Sequence, residues 1–218
     1  VVLKHAFFPT TAVVSLVSSM KDGASVEVAV VGNEGVVGVC AYMGGGRALS
    51  GAVVQSGGRA LRMSARAIAW HASHSDAFMQ QLLCYTQALF TQMAQTSACN
   101  RRHALDQQLC RWLLLNLDRR HGNEVTVTQE QIAGMLGVRR EGVTSAAVKL
   151  QKAGLIQYRR GRIAILDRSG LEQRSCECYS VVRQSYDRLL RTVGVPRQAP
   201  VARTLIPMNR SALLPALG

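Results

Sequence analysis

Residues 128–156, TQEQIAGMLGVRREGVTSAAVKLQKAGLI, have the pattern of two helices joined by a tight turn. Thr128 and Gln131 match the spacing S/T-x-x-E/Q that caps a helix start. Ala133 is small enough for a second helix to cross closely, and Gly137, four residues later, permits a sharp turn. Apolar residues then follow one, six and nine positions beyond this glycine. This spacing predicts a helix-turn-helix.

The residues after this motif predict a wing and carry much of the positive charge. LIQYRRGRIAIL, at 155–166, predicts a hairpin that turns at Arg160-Gly161. Residues 101–162 hold 12 Lys or Arg against 5 Asp or Glu, whereas residues 1–100 hold 6 against 4. A basic field on one segment favours a polyanionic partner, nucleic acid before an anionic membrane. A solvated basic surface is the alternative.

In a helix-turn-helix the second helix enters the major groove of DNA by its N-terminal residues. We expect base contacts from Arg140, Glu141, Thr144 and Ser145. Arginine matches the O6/N7 edge of guanine and a carboxylate accepts from the amine of cytosine, so Arg140 and Glu141 suit a half-site with a G·C pair. The alternative is a local ion pair between these two side chains. We expect phosphate contacts from Thr128, Arg139, Lys149, Arg159, Arg160 and Arg162.

Residues 1–68 predict antiparallel strands, because short runs rich in β-branched residues alternate with glycine turns. The runs are 7–20, 25–32, 52–56 and 59–64, and Asp22-Gly23 marks a hairpin. This pattern favours a sandwich or barrel. No apolar run is long enough to span a membrane, and no secretory signal is present. We interpret the chain, which opens on Val1, as truncated at its N-terminus.

The hydrophobic period changes at about residue 76. FMQQLLCYTQALFTQMAQTSAC, residues 78–99, contains no Gly or Pro and predicts one long helix. Its apolar stripe has heptad-like spacing and includes Leu82, Tyr85, Leu89 and Met93. We expect these four residues to face a second copy of the chain; packing on the helix's own domain is the alternative. Asn100–His103 interrupts the stripe and is the candidate hinge.

Two more helices are expected beyond the hinge, at 105–120 and at 169–191. The tail from Val195 contains four prolines, and we expect it to be loosely ordered. Cys176-Glu-Cys178 is a poor metal clamp by itself, because zinc and iron–sulfur sites usually have four ligands. We therefore expect structural thiols, no metal site and no cofactor. A redox role for Cys176 and Cys178 is the alternative, and His71 and His74 lack a third ligand.

In their order along the chain, these features resemble the Crp/Fnr family of bacterial transcription regulators. The resemblance covers most of the chain, and GVRREGVTSAAVKLQKAGLI, at 137–156, looks like that family's recognition helix and its turn into the wing. The resemblance implies base-reading roles for Arg140, Glu141 and Ser145. Arg139 stands where the family often has a serine cap. Because an arginine cannot cap a helix N-terminus, we assign Arg139 to a phosphate.

The sensor departs from the cyclic-AMP-binding members of this family. Their ligand loop has a G-E pair, followed about ten residues later by R-S/T. Aligning Gly38 and Ser50 to that pattern puts Val39 at the glutamate that takes the ribose and Leu49 at the arginine that takes the phosphate. Arg47 is the nearby arginine, but it lies two residues before Leu49. A cyclic phosphate buried without a cation is costly, so we expect no tight cyclic-nucleotide binding and an unknown small-molecule effector. The alternative is a regulator that has lost its effector and binds DNA constitutively.

The sequence therefore predicts an α+β protein with four parts. They are an antiparallel β-roll or jelly-roll sensor of cyclic-nucleotide-binding type (1–75), a dimerisation helix with hinge (76–103), a winged helix-turn-helix (104–166) and a C-terminal helix with tail (167–218). We expect a cytoplasmic homodimer that binds specific double-stranded DNA and no membrane, with RNA polymerase as a further candidate partner. No catalytic residues are expected, because the β region shows no nucleophile motif. The alternative is a signalling or scaffold module whose winged helix no longer reads DNA.

Overall fold

A computed structural model of the chain describes residues 3–44, 48, 50–190 and 204–210. The first 64 residues supply five strands, which pair in antiparallel fashion in two sheets. They are β1 (His5–Pro9), β2 (Val13–Ser19), β3 (Ser25–Val31), β4 (Gly51–Ser56) and β5 (Gly58–Ser64). One sheet has the order β3-β2-β4, and the other pairs β1 with β5. The predicted antiparallel sensor is therefore confirmed. Its hairpin turns at Gly23, whose φ of 86° suits glycine.

The strand region ends four residues before the predicted limit at residue 68. Ser64 caps helix α1 (Ala65–His74): its Oγ accepts a hydrogen bond from the Ala67 N–H at 3.1 Å. Between β3 and β4 the chain forms a short 3₁₀ turn at Val39–Ala41. Arg47 and Leu49, which entered the comparison with the cyclic-AMP loop, lie outside the described residues.

Helix α2 (Asp76–Arg102) is the predicted long helix, and it begins two residues before and ends three residues after the predicted segment 78–99. The chain leaves the helical conformation at His103 and Ala104, then enters α3 (Leu105–Leu117). The break therefore falls at the end of the predicted hinge, because residues 100–102 still belong to α2.

The prediction that Leu82, Tyr85, Leu89 and Met93 face a second copy of the chain is wrong. Leu82, Tyr85 and Leu89 are only 4%, 4% and 1% exposed within the single chain, and Met93 is partly buried. The ring of Tyr85 lies so close to Gly35 that a Cβ there would collide with it. Gln92, on the same face, donates to the Val30 carbonyl at 3.1 Å. These residues anchor α2 to its own sensor, which was the alternative, so they do not offer a surface to a second copy.

The winged region follows the sequence prediction closely. It contains β6 (Glu124–Thr126), α4 (Gln129–Leu136), α5 (Arg140–Lys152), β7 (Ile156–Arg159) and β8 (Arg162–Ile165). The three strands form an antiparallel sheet in the order β6-β8-β7. The two helices and this sheet share one hydrophobic core with α3 and the sensor.

The C-terminal part differs from the prediction in two ways. The expected helix at 169–191 is broken at Ser175 into α6 (Arg168–Arg174) and α7 (Glu177–Leu190), because α6 packs on α3 while α7 turns to run along α2. The expected loose tail contains a strand, β9 (Thr204–Met208), which pairs with β5 and buries Met208. Within the described ranges, no helix has both the length and the apolar composition needed to cross a membrane.

Candidate DNA-binding site

The predicted capping pair fixes the start of the helix-turn-helix. Thr128 Oγ1 accepts from the Gln131 N–H at 3.2 Å, and Gln131 Oε1 accepts from the Thr128 N–H at 3.0 Å. Gly137 ends α4 with φ 67°, in the left-handed region that glycine adopts most easily. These local interactions determine where α4 begins and ends, and hence where the next helix starts.

Close packing against α3 sets the position of α5, the predicted recognition helix. Its buried face consists of Val143, Ala146, Ala147 and Leu150. A Cβ on Gly142 would lie 2.8 Å from Leu105 Cδ2, so this glycine lets the two helices approach closely. The opposite face is left for solvent or a partner.

Three of the four predicted base-reading residues lie on the exposed face of α5. Arg140, Glu141 and Ser145 are exposed at its N-terminal half. Neither Arg140 nor Glu141 forms an ion pair with any residue that the structure describes. The alternative of a local pair between them is therefore not supported, and both charged groups are available to a ligand.

Thr144, the fourth predicted base reader, is engaged within the motif. Its hydroxyl donates to Gln129 Oε1 at 2.7 Å and also lies 3.1 Å from the Arg140 carbonyl. The side chain is half-buried between α5 and the start of α4. Thr144 is thus placed to hold the two helices together, and Gln129 is the partner that the sequence pattern did not reveal.

All six predicted phosphate-contacting residues are exposed around this face. The wing turns through Arg160 (φ 45°) and Gly161 (φ 78°), two consecutive left-handed residues as in the tight turns of β-hairpins. A groove between the starts of α4 and α5 and the wing is lined by Thr128, Gln129, Glu130, Arg140, Tyr158, Arg160 and Gly161. Arg162 forms an ion pair with Glu124 at 3.7 Å, and Lys149 lies near enough to Asp106 to help lower the pKa of that carboxyl, after the larger effect of Arg174.

Val148 is a surface residue that the sequence analysis missed. It lies three residues beyond Ser145 on α5 and is 45% exposed. Apolar side chains on recognition helices can contact the methyl group of thymine. The signal was available in the helical spacing from Arg140 and Glu141, but a valine in a helix is more readily taken for a core residue.

The winged region is attached to the sensor by direct contacts. A Cβ on Gly137, in the turn, would come within 2.6 Å of Val26 on β3. After α3, Arg119 Nε donates to Glu34 Oε1 at 2.6 Å, in the loop that follows β3. Burial opposes the charge of Arg119, but the attraction of Glu34 prevails and raises its pKa above the ordinary arginine value. The arginine therefore stays charged in this contact.

The sensor offers no carboxylate at the aligned ribose-binding position. Val39, which aligns there, lies partly buried in the 3₁₀ turn, packed against the main core. Glu27, on β3, is buried and accepts a hydrogen bond from Ser15. Burial raises the pKa of Glu27 to about 7, although Ser15, Arg111 and Arg119 act in the opposite direction.

Comparisons with known proteins agree with this architecture. Residues 107–174 match the family model of the Crp-like helix-turn-helix domain. FixK2 from Bradyrhizobium japonicum is similar in structure, with a TM-score of 0.66 at 15% identity over 81% of this chain and 89% of that one. TTHB099, a CRP-family transcriptional regulator from Thermus thermophilus, gives a TM-score of 0.64 at 22% identity over 80% and 89%.

A third similar structure is TTHA1359, a CRP/FNR-family transcriptional regulator that also comes from Thermus thermophilus. Its TM-score is 0.62 at 17% identity, over 80% of this chain and 91% of that one. No curated protein matches the chain. The helix-turn-helix is thus identified by a sequence match, and the whole architecture by its structural similarity to these regulators.

Proposed function

We propose that this chain, which has a Crp-like helix-turn-helix domain and the fold of Crp/Fnr-family regulators, is a sequence-specific DNA-binding transcription regulator that acts as a homodimer. The observation that carries the proposal is the exposed N-terminal half of α5. There, Arg140 and Glu141 lack ion-pair partners among the described residues and stand beside the basic wing.

The direct contacts follow from the donors and acceptors on this face. Arg140 suits the O6 and N7 atoms of guanine, Glu141 suits the amine of cytosine, and Ser145 suits either kind of base edge. Val148 adds an apolar contact for a thymine methyl group. Thr144 acts as a positioning residue through Gln129. The half-site should therefore contain at least one G·C pair.

The surrounding basic side chains contact the DNA backbone. They are Arg139 and Lys149 on or beside α5, and Arg159, Arg160 and Arg162 on the wing, with the hydroxyl of Thr128 at the start of α4. Phosphate contacts position a protein on the duplex and make binding sensitive to salt, but they do not specify a sequence.

The dimer interface lies on the outer face of α2. Its residues Leu83 and Phe90 each follow directly after a residue of the predicted stripe, Leu82 and Leu89. Its exposed residues repeat at steps of four and three: Leu83, Gln87, Phe90, Ala94 and Ser97. Leu83 and Phe90 are 52% and 51% exposed, which is costly for such large apolar side chains in water. The occupant is a second copy, because a heptad spacing on one helix is self-complementary when two such helices pair.

The sensor transmits the state of an effector to the DNA-binding region. The Arg119–Glu34 contact and the packing of the turn at Gly137 on Val26 connect the two parts. An effector that binds two arrangements of these contacts with different affinity would shift the position of α5. Because Val39 supplies no carboxylate for a ribose, the effector is not cyclic AMP.

A competition experiment tests the proposal. Full-length protein should prefer a selected duplex over random DNA at both low and high salt, and binding to random DNA should fall more steeply as salt rises. Equal affinity for both duplexes at each salt concentration would contradict sequence-specific recognition. It would favour the signalling or scaffold alternative.

A further inference from the structure

Four metal-binding side chains meet where α2, α3 and α7 come together. Cys99 lies in the last turn of α2, His103 follows its end, and Cys176 and Cys178 flank Glu177 at the start of α7. One ligand atom from each lies within 4.8 Å of all the others. Cys99 Sγ and Cys176 Sγ are 3.5 Å apart, and Cys178 Sγ is 3.6 Å from His103 Nδ1.

The cluster is shielded from water. The three cysteines are 0%, 5% and 2% exposed and form a buried cluster separate from the main core. The side chain of His103 is 18% exposed. Sulfur and nitrogen ligands in such a dry site favour a soft or borderline cation over calcium or magnesium, which prefer oxygen.

The distances fit one ion better than a cluster of several. Zinc bound by Cys₃His is tetrahedral with Zn–S bonds of about 2.3 Å, so its ligand atoms stand roughly 3.8 Å apart. The observed separations of 3.5 and 3.6 Å are close to this value. In an iron–sulfur cluster the protein ligands are divided among two or four irons, so some of the ligand atoms would stand further apart than the 4.8 Å limit found here.

We propose that Cys99, His103, Cys176 and Cys178 bind a single zinc ion that fixes α7 to the junction of α2 and α3. The sequence positions suit this role. Cys99 and His103 are four residues apart, so they fall on one face at the end of α2. In a continuous helix, residues two apart such as Cys176 and Cys178 would point to opposite sides. The break at Ser175 brings both to the same side.

Neighbouring charged groups support the same site. Glu177 Oε1 is 3.3 Å from His103 Nε2, so it can fix the ring with Nδ1 towards the sulfurs, as carboxylates do beside metal-bound histidines. Three thiolates and one zinc leave a net negative charge. Arg111 is buried, donates to Thr96 at 3.1 Å and lies near enough to Cys99 to attract its thiolate.

The ion would join two parts of the chain across the hinge. Cys99 and His103 lie at the end of the long helix that is anchored on the sensor, whereas Cys176 and Cys178 come directly after α6, which packs on α3 of the winged region. A bound ion would therefore restrict how far the winged region can turn about His103. The proposal does not depend on DNA binding, so its test is independent of the function proposed above.

Metal content provides the direct test. Full-length protein purified without chelator should contain about one zinc per chain, measured by elemental analysis. Replacing zinc with Co²⁺ should give the absorption bands of tetrahedral cobalt with thiolate ligands. No bound metal in the protein as purified, with or without a Cys99–Cys176 disulfide, would overturn the proposal, and so would iron together with inorganic sulfide.

Matched variants identify the ligands. Cys176→Ser and His103→Ala should each lower the zinc content to near zero and abolish the cobalt spectrum. Cys84→Ser is the control, because Cys84 lies on α2 outside the cluster and should leave both unchanged. If Cys176→Ser fails to fold, the cobalt spectrum of the unmodified chain still decides the ligand class. Full zinc binding by a folded Cys176→Ser variant would refute the assignment.

Discussion

Arg119 and Glu34 join the winged region to the sensor through a hydrogen bond of 2.6 Å between Nε and Oε1. The same guanidinium donates to Gln92 on α2 at 3.0 Å, and its carbon lies 5.2 Å from the ring centroid of Tyr186 on α7. One side chain at the end of α3 thus contacts the sensor loop, the long helix and the C-terminal helix. A movement of any of these three parts must change its contacts.

Removal of Arg119 should destabilise the chain strongly. Its side chain is 5% exposed and that of Glu34 is 21% exposed, so Arg119→Met leaves a largely buried carboxylate without its partner. We expect a loss of about 3 kcal/mol in the free energy of unfolding, measured with urea. The matched control Arg183→Met removes an exposed pair with Glu172 and should cost less than about 1 kcal/mol. Equal effects would contradict this account.

Glu27 should make stability depend on pH. Burial raises its pKa from 4.5 to about 7, so the folded chain keeps this proton where the unfolded chain releases it. The contribution of Glu27 to the free energy of unfolding is therefore greatest below pH 4.5. It falls by about 3 kcal/mol in all as the pH rises to about 7 and beyond.

The variant Glu27→Gln isolates this effect. Its amide oxygen can still accept from Ser15, but it does not ionise, so the fall in unfolding free energy between pH 5 and pH 8 should become smaller by roughly 2–3 kcal/mol. Glu130→Gln, at an exposed position on α4, is the control and should behave like the unmodified chain. An unchanged pH profile in Glu27→Gln would show that another group is responsible.

Arg140→Ala should weaken binding to the cognate site by about 1–3 kcal/mol and relax the preference at one base pair. The reason is the loss of a bidentate contact that depends on the base. Arg159→Ala removes a wing side chain expected at a phosphate, so it should weaken binding to all duplexes similarly and lower the salt dependence. Titrations on cognate and random DNA separate these outcomes. An equal loss on both for Arg140→Ala would refute base reading.

Phe90→Asp should convert the proposed dimer to a monomer without unfolding the chain. Phe90 is 51% exposed, so the chain itself loses little packing, whereas a seam between two copies would acquire a buried charge. Sedimentation would report half the mass, with an unchanged circular dichroism spectrum. Leu166→Asp changes a 59% exposed leucine away from α2 and should remain dimeric. An unchanged mass for Phe90→Asp would exclude this face.

Local patterns predicted the winged helix-turn-helix, whereas the proposed dimer face could be chosen only from tertiary packing. The hydrogen bonds that begin and end α4 join residues at most five positions apart, as at Thr128, Gln131 and Gly137. The spacing of these residues in the sequence was therefore enough to predict the helix-turn-helix. Whether a helical stripe faces its own domain or a partner depends on distant contacts. Leu89 and Phe90 are neighbours in sequence, and only the packing of α2 on the sensor shows that Leu89 is the buried one.

Distant pairings also explain the C-terminal corrections. The break at Ser175 contains neither glycine nor proline, and it exists because α6 and α7 pack on different helices. Strand β9 gains its hydrogen bonds from β5, about 150 residues earlier, which no local pattern shows. In the sequence, Cys176 and Cys178 supply only two of the four ligands that a zinc site usually needs. The spacing of Cys99 and His103 on one helical face was the available hint.

Sequence-specific binding by a dimer is tested most directly by selecting genomic fragments with the purified full-length protein and sequencing the bound fragments. A dimeric, sequence-specific regulator should select a palindromic motif whose half-sites contain a G·C pair and are centred about one helical turn apart, roughly 34 Å, because two α5 helices must enter successive major grooves. If the bound fragments share no motif, and binding depends on the salt concentration but not on the sequence, the protein is not a dimeric sequence-specific regulator.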